Sequence, residues 1–142
     1  MKKGIAILLS VLLLLALTAC GGEKMTGPEV DYGSSDLYTR EELDSAVAAI
    51  RAEFDTWDGC ELQTLRYAGD ESASQENLDW MNELRKEGDA FTQCIAFLSD
   101  FRTSGEAASS AIGLEADQEY QDWQWWLARS EGGDWQLMTW GY

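Results

Sequence analysis

The chain has 142 residues, 26 of them acidic against 10 basic and none histidine, for a formal net charge of −16. That length suits one small domain with a single core behind a leader segment. So negative a surface repels phosphate backbones and excludes nucleic-acid binding, while the lack of histidine excludes Ser-His-Asp and Cys-His catalysis and His-built metal sites.

Residues 1–20, "MKKGIAILLSVLLLLALTAC", have a basic start at Lys2 and Lys3, an apolar run from Ile5 to Leu17, and small residues before Cys20. The run falls short of the roughly 20 residues that span a bilayer, so residues 1–19 are predicted to be an export signal peptide. The ending Leu17-Thr18-Ala19-Cys20 resembles a bacterial lipobox. That resemblance implies lipidation of Cys20 on sulfur, a mature chain beginning there, and a domain anchored by acyl chains such as palmitate to the cell membrane on its extracytoplasmic side. An ordinary cleaved signal with a chance cysteine is the alternative. Loss of Lys2 and Lys3 with the signal takes the formal charge from −16 to −18.

Residues 21–38 hold four glycines, the only proline and two adjacent serines. Residues 20–38 are therefore expected to be a lipidated cysteine and a flexible linker, with one domain from 39 to 142.

Thr39 and Glu42 match a capping box, and Leu43, Ala46, Val47, Ile50 and Phe54 recur at helical spacing, predicting a helix over about 40–56 that Gly59 ends. "CELQTLRY" (60–67) follows as a strand whose apolar phase changes between Leu62 and Leu65, the mark of a bulge. A second helix over about 74–86 starts near Ser74 and carries Leu78, Met81 and Leu84 on one face. "AFTQCIAFLSDF" (90–101) reads as a largely buried strand, and the small, polar residues 103–119 as a long loop.

Gly132-Gly133 between two aromatic runs predicts a closing hairpin. Pairing outward from those glycines sets Ser130 opposite Trp135, Ala128 opposite Leu137, Leu127 opposite Met138, Trp125 opposite Trp140 and Trp123 opposite Tyr142. Trp123, Trp125, Leu127, Met138, Trp140 and Tyr142 then share a wholly apolar face. Trp126 and Trp135 fall on the mixed face, where they are the candidates for contact with a glycan, ligand or partner, against partial burial under the long loop or a role in sheet stability.

The order helix, strand, helix, strand, strand, strand is similar to the NTF2-like (cystatin-like) α+β cone, with two helices on one face of a curved, mainly antiparallel sheet of about four strands. "GCELQTLRY" (59–67), "CIAFLSDFRTS" (94–104) and "YQDWQWWLARSEGGDWQLMTWGY" (120–142) resemble the sequence blocks of an uncharacterised family of Gram-positive bacterial lipoproteins with such a domain. The resemblance implies fold and location, but no activity and no functional residues.

Cys60 and Cys94 are an even pair in an exported domain; one disulfide between them is worth roughly 3–4 kcal/mol for a loop of about 35 residues, and two buried thiols are the alternative. Asp58 and Glu61 flank the first long strand, and Asp117, Glu119 and Asp122 precede the hairpin. A hard cation is one use for such a group, but a solvated charge cluster is the expectation, with no metal and no cofactor. Together these features predict a monomeric, non-catalytic domain that binds a partner protein or small ligand at the envelope. A small NTF2-like enzyme using a pocket carboxylate or tyrosine is the rival, and cell-wall glycan binding through Trp126 and Trp135 a third reading.

Overall fold

The computed structural model describes residues 27–105 and 113–142. The signal peptide, Cys20 and the middle of the long loop lie outside the described residues. Helix α1 spans Arg40–Phe54. Its start is the expected capping box: Thr39 Oγ1 accepts from Glu42 N at 3.2 Å, and Thr39 N donates to Glu42 Oε2 at 2.8 Å. Two otherwise orphaned backbone donors are thereby satisfied. Its buried stripe is Leu43, Ala46, Val47, Ile50 and Phe54, as the spacing predicts.

The sheet has five strands: β1 (Glu29–Asp31), β2 (Cys60–Tyr67), β3 (Gln93–Thr103), β4 (Glu119–Arg129) and β5 (Gln136–Gly141). They lie side by side in chain order, β1 parallel to β2 and the rest antiparallel. The fold is therefore α+β with a mixed, open, five-stranded sheet rather than one of four strands. The additional strand comes from the segment expected to be linker. Glu29, Val30 and Asp31 pair with Thr64, Leu65 and Arg66, and Tyr38 is buried with its hydroxyl donating to Cys94 O at 2.8 Å. Three residues with one apolar side chain carry no period-2 signal, so β1 exists only because β2 offers it an edge.

The two helices do not share a face of the sheet. Under α1 lie Leu65, Ile95, Phe97, Phe101, Trp125 and Leu127. Helix α2 (Gln75–Leu84), capped by Ser74, buries Met81 against Phe91, Cys94 and Ala128, with Leu78, Trp126 and Met138 packed beside them. Neighbours Cys94 and Ile95, like Leu127 and Ala128, thus belong to different clusters, and adjacent strand residues point to opposite faces. Four consecutive buried residues, Cys94–Phe97, are the sign of a central strand covered on both sides.

Both neighbours of β3 bulge at the same height. Leu62 pairs with Phe101 and Thr64 with Asp100, leaving Gln63 as the extra residue on β2. Ser99 pairs with Trp123 and Phe101 with Tyr120, so Gln121 and Asp122 together oppose Asp100. Asp122 adopts a φ of 57°, rare for a side-chain-bearing residue. The Asp100 carboxylate reaches across both irregularities. It accepts from Thr64 Oγ1 at 3.0 Å and Arg66 Nη1 at 3.3 Å on β2, and from Asp122 N at 3.0 Å on β4. Partial desolvation pushes the Asp100 pKa up, but the Asp122 amide, the Thr64 hydroxyl and Arg66 outweigh it and hold the group below the usual carboxylate range.

Hydrogen bonds to a charged acceptor are worth about 1.5–3 kcal/mol, so Asp100→Ala is expected to cost about 2–3 kcal/mol in urea unfolding at neutral pH. A pKa lowered on folding contributes stability above the unfolded value and loses it as pH falls through the folded value. The gap between wild type and Asp100→Asn should therefore narrow as the pH is taken below the usual carboxylate range.

Candidate functional site

The hairpin sorts the tryptophans, and its register is only half as expected. Trp125 pairs with Trp140, Trp126 with Thr139 and Gln124 with Gly141. Nearer the turn the pairing slips by one: Leu127 faces Leu137 and Ala128 faces Gln136, in place of Met138 and Leu137. Met138 is the extra residue of a third bulge, and it packs with the α2 cluster while Leu137 joins the α1 core. The strands stop at Arg129 and Gln136, so Ser130 and Trp135 belong to the connection, closed by Gly133 N donating to Ser130 O at 3.0 Å.

The two expected contact residues are not exposed. Trp135 is 7% accessible, edge-on to Tyr38 with ring centroids 5.5 Å apart. Its indole donates to Glu42 O at 3.1 Å, and the Arg129 guanidinium lies 4.3 Å above its ring. Trp126 is half-buried beside α2, edge-on to Trp80 at 5.3 Å, and its indole donates to Gln124 Oε1 at 2.9 Å. Trp135 thus offers no free face, while Trp126 keeps part of its surface beside the 38% accessible Trp80.

Among the described residues the exposed large apolar side chains are Leu37, Trp80, Leu84, Trp140 and Tyr142, and the last two come from the face assigned by sequence to the core. Trp140 is 39% and Tyr142 76% accessible. Both belong to the C-terminal end of the edge strand β5, where Trp140 is in register with Trp125, Phe97 and Tyr67, the last residue of β2. Tyr142 lies edge-on to Trp123 at 5.1 Å, and Trp140 tilts over Trp57 at 5.7 Å. Beneath them Trp57, supplied by the turn after α1, touches Phe54, Phe101, Trp123 and Trp125, and Tyr120 stacks on Phe101 at 5.0 Å. The Trp123 indole nitrogen is shielded from water and has no acceptor among the described residues. The apolar face is thus real with Leu137 in place of Met138, but α1 is too short to cover its far end. The signal available in sequence was that ending: the stripe on α1 stops at Phe54.

Cys60 and Cys94 are both free. Cys60 pairs with Thr103, nine residues from Cys94 along β3, which sets them on the order of 30 Å apart and far outside disulfide reach. Burial pushes the Cys94 thiol up to about 11. Of the acidic residues, Glu61 pairs with Arg102 and Asp122 with Arg66, and Asp117 accepts from Gly105 N. Among the described residues no three metal-binding side chains come together.

The space between α1 and the sheet is filled by Phe97, Phe101, Trp125 and Leu127. Among the described residues the buried polar side chains are Ser72, Ser99 and Thr103, and each is used structurally. Ser99 accepts from Trp125 Nε1 at 2.8 Å, Thr103 accepts from Gln118 N at 3.0 Å, and Ser72 accepts from Ala96 N at 3.2 Å. A hollow of about 770 Å³ between β1 and α1 is walled by Val30, Tyr32, Val47 and the exposed Arg40, Asp44 and Arg51. It is a surface cleft beside an edge strand and contains no buried carboxylate. Comparison with family models, curated proteins and solved structures finds no match.

Two outcomes follow. Trp135→Ala is expected to cost about 3–5 kcal/mol in unfolding, as removal of a buried aromatic does, whereas Tyr142→Ala should stay within about 0.5 kcal/mol. Mass spectrometry after alkylation should find Cys94 unmodified in the folded chain, and modified after denaturation without any reductant.

Proposed function

We propose that the chain is a lipid-anchored extracytoplasmic domain that binds a partner protein or small ligand at the cell envelope without catalysis, using the aromatic end of its sheet. The observation that carries the reading is the exposure of Trp140 and Tyr142 over a rigid base of packed rings. Single exposed apolar side chains are common, but a contiguous aromatic patch on a small domain marks a contact surface. The enzyme reading needs a carboxylate or tyrosine in an open cavity; the filled interior under α1 favours binding instead.

The anchor is our reading of the lipobox-like Leu17-Thr18-Ala19-Cys20. The NTF2-like assignment belongs here too. It is supported by one long helix lying across a bulged, mainly antiparallel sheet, and it departs from the expected cone in its parallel β1 and in the placement of α2 on the other face.

The anchor predicts that the expressed protein sediments with membranes, that its first residue is Cys20 carrying the mass of a diacylglyceryl group, and that Cys20→Ser carries none. An unlipidated wild-type chain rejects it. For binding, crosslinking on intact envelopes should give a discrete adduct that the Trp140→Ala/Tyr142→Ala double variant lacks. An adduct unchanged by the double variant would place the contact elsewhere.

A further inference from the structure

Chain geometry and charge at the aromatic end together restrict what it can bind. Strand β1 runs parallel to β2, with Glu29 opposite Thr64, so the chain enters the sheet at the end where β2 begins. Pro28 lines a hollow of about 290 Å³ with Phe54, Trp57 and Cys60. Trp57 therefore lies between the entry point and Trp140, although β1 and β5 are opposite edges of the sheet. Eight residues, Gly21 to Pro28, separate Cys20 from β1, a reach of at most about 28 Å at roughly 3.5 Å per residue. If Cys20 carries lipid, as proposed above, Trp140 and Tyr142 are held near the bilayer.

The aromatic end is acidic. Asp55 and Asp58 flank Trp57, and both are exposed and make no ion pair among the described residues; Asp117 and Glu119, also exposed, line a separate hollow with Glu61 and Arg102 on the other face. Arg102, the cation beside Glu119, is engaged by Glu61, and Arg51 shares the Pro28 hollow with Asp55. Anionic headgroups are repelled by such carboxylates, and a neutral glycan gains nothing from them. Aromatic faces flanked by the Asp55 and Asp58 carboxylates suit a ligand that brings positive charge and apolar side chains together, because cations are attracted both to ring faces and to carboxylates.

We infer that the occupant of the aromatic end is a cationic, amphipathic peptide segment reached at the membrane surface. The inference rests on the binding reading and names the partner chemistry for that same surface. A tethered domain needs only modest affinity for such a partner, since the anchor raises its local concentration.

The test uses the full mature chain anchored in phosphatidylcholine nanodiscs, titrated with a synthetic peptide alternating Lys and Leu, with empty nanodiscs subtracted. Tryptophan fluorescence should change saturably. Affinity should fall about tenfold between roughly 20 and 300 mM salt as the carboxylates are screened, and at least about tenfold in Trp140→Ala/Tyr142→Ala. Asp55→Asn/Asp58→Asn should flatten the salt dependence and leave the fold intact. No saturable change, equal binding of a Glu-Leu peptide, or equal binding by the aromatic double variant overturns the inference. A fluorescence response to peptidoglycan fragments, or to lipid alone, without one to the Lys-Leu peptide also overturns it while leaving the aromatic end a binding surface. Loss of the envelope crosslink in wild type removes the broader reading as well.

Discussion

The shape of this domain depends on one carboxylate. Asp100 sits on the central strand opposite an extra residue on each neighbour, where two ladders lose their regular pairing together. A bulge leaves backbone groups without ladder partners and bends the strand that carries it. Two at the same level would unzip the middle of the sheet unless something bridged them, and Asp100 bridges both, taking the Asp122 amide on one side and Thr64 and Arg66 on the other. Arg66 also holds Asp122, so one guanidinium spans the two carboxylates. Phe101, Tyr120 and Trp123 lie at and beyond this bend, so the aromatic end is positioned by a polar device on the other face of the same strands.

Trp57 explains how a small domain tolerates so many rings in one place. Helix α1 ends at Phe54, and the turn that follows inserts Trp57 among Phe101, Trp123, Trp125 and Trp140 with centroid separations between 5.1 and 6.3 Å. Tilted and edge-to-face contacts at these distances add to the gain from burial, and Trp57 itself is 3% accessible. The buried indole forms a floor on which Trp140 and Tyr142 stand partly in water. Rings so braced lose little conformational freedom when a partner covers them.

Much of this was legible in the residues, and the failures have specific causes. The capping box at Thr39 and Glu42, the stripe from Leu43 to Phe54 and the phase change between Leu62 and Leu65 are local patterns, and each appears where expected. The side of the sheet taken by α2 was not legible. A ten-residue helix with one apolar face fits either side, and only the unbroken burial of Cys94–Phe97 tells that both are covered. β1 is borrowed from its neighbour and has no signature of its own. For Trp135, strand parity gave the wrong exposure because parity ends where the strand ends, whereas Trp126 keeps its parity and is half-buried because α2 covers that face. Trp135 lies past β4 in the connection and swings onto Tyr38, and the slip at Met138 moves the residues around it. Trp125 and Trp140 kept their pairing because they lie outside that slip.

The two ends of the sheet are held by different forces, and this bears on where binding is cheap. Around the start of α1 the contacts are directional. Tyr38 donates to Cys94 O, Trp135 to Glu42 O, Arg129 pairs with Glu42, and the Asp70 carboxylate accepts from Ser35, the Asp36 amide and Tyr67. A ligand inserted there would have to replace hydrogen bonds one for one, and each orphaned group would cost free energy. At the opposite end Trp57 Nε1 donates to Glu53, Trp125 Nε1 to Ser99 and Glu115 N to the Tyr120 hydroxyl, but among the described residues the exposed Trp140 and Tyr142 side chains make ring contacts alone and can shift without leaving a polar group unpaired; the shielded Trp123 indole is already without an acceptor. Because the two rings that face solvent there carry no polar cross-link among the described residues, this is where an incoming surface meets least resistance, and Pro28, just before β1, lines a hollow with the same Trp57.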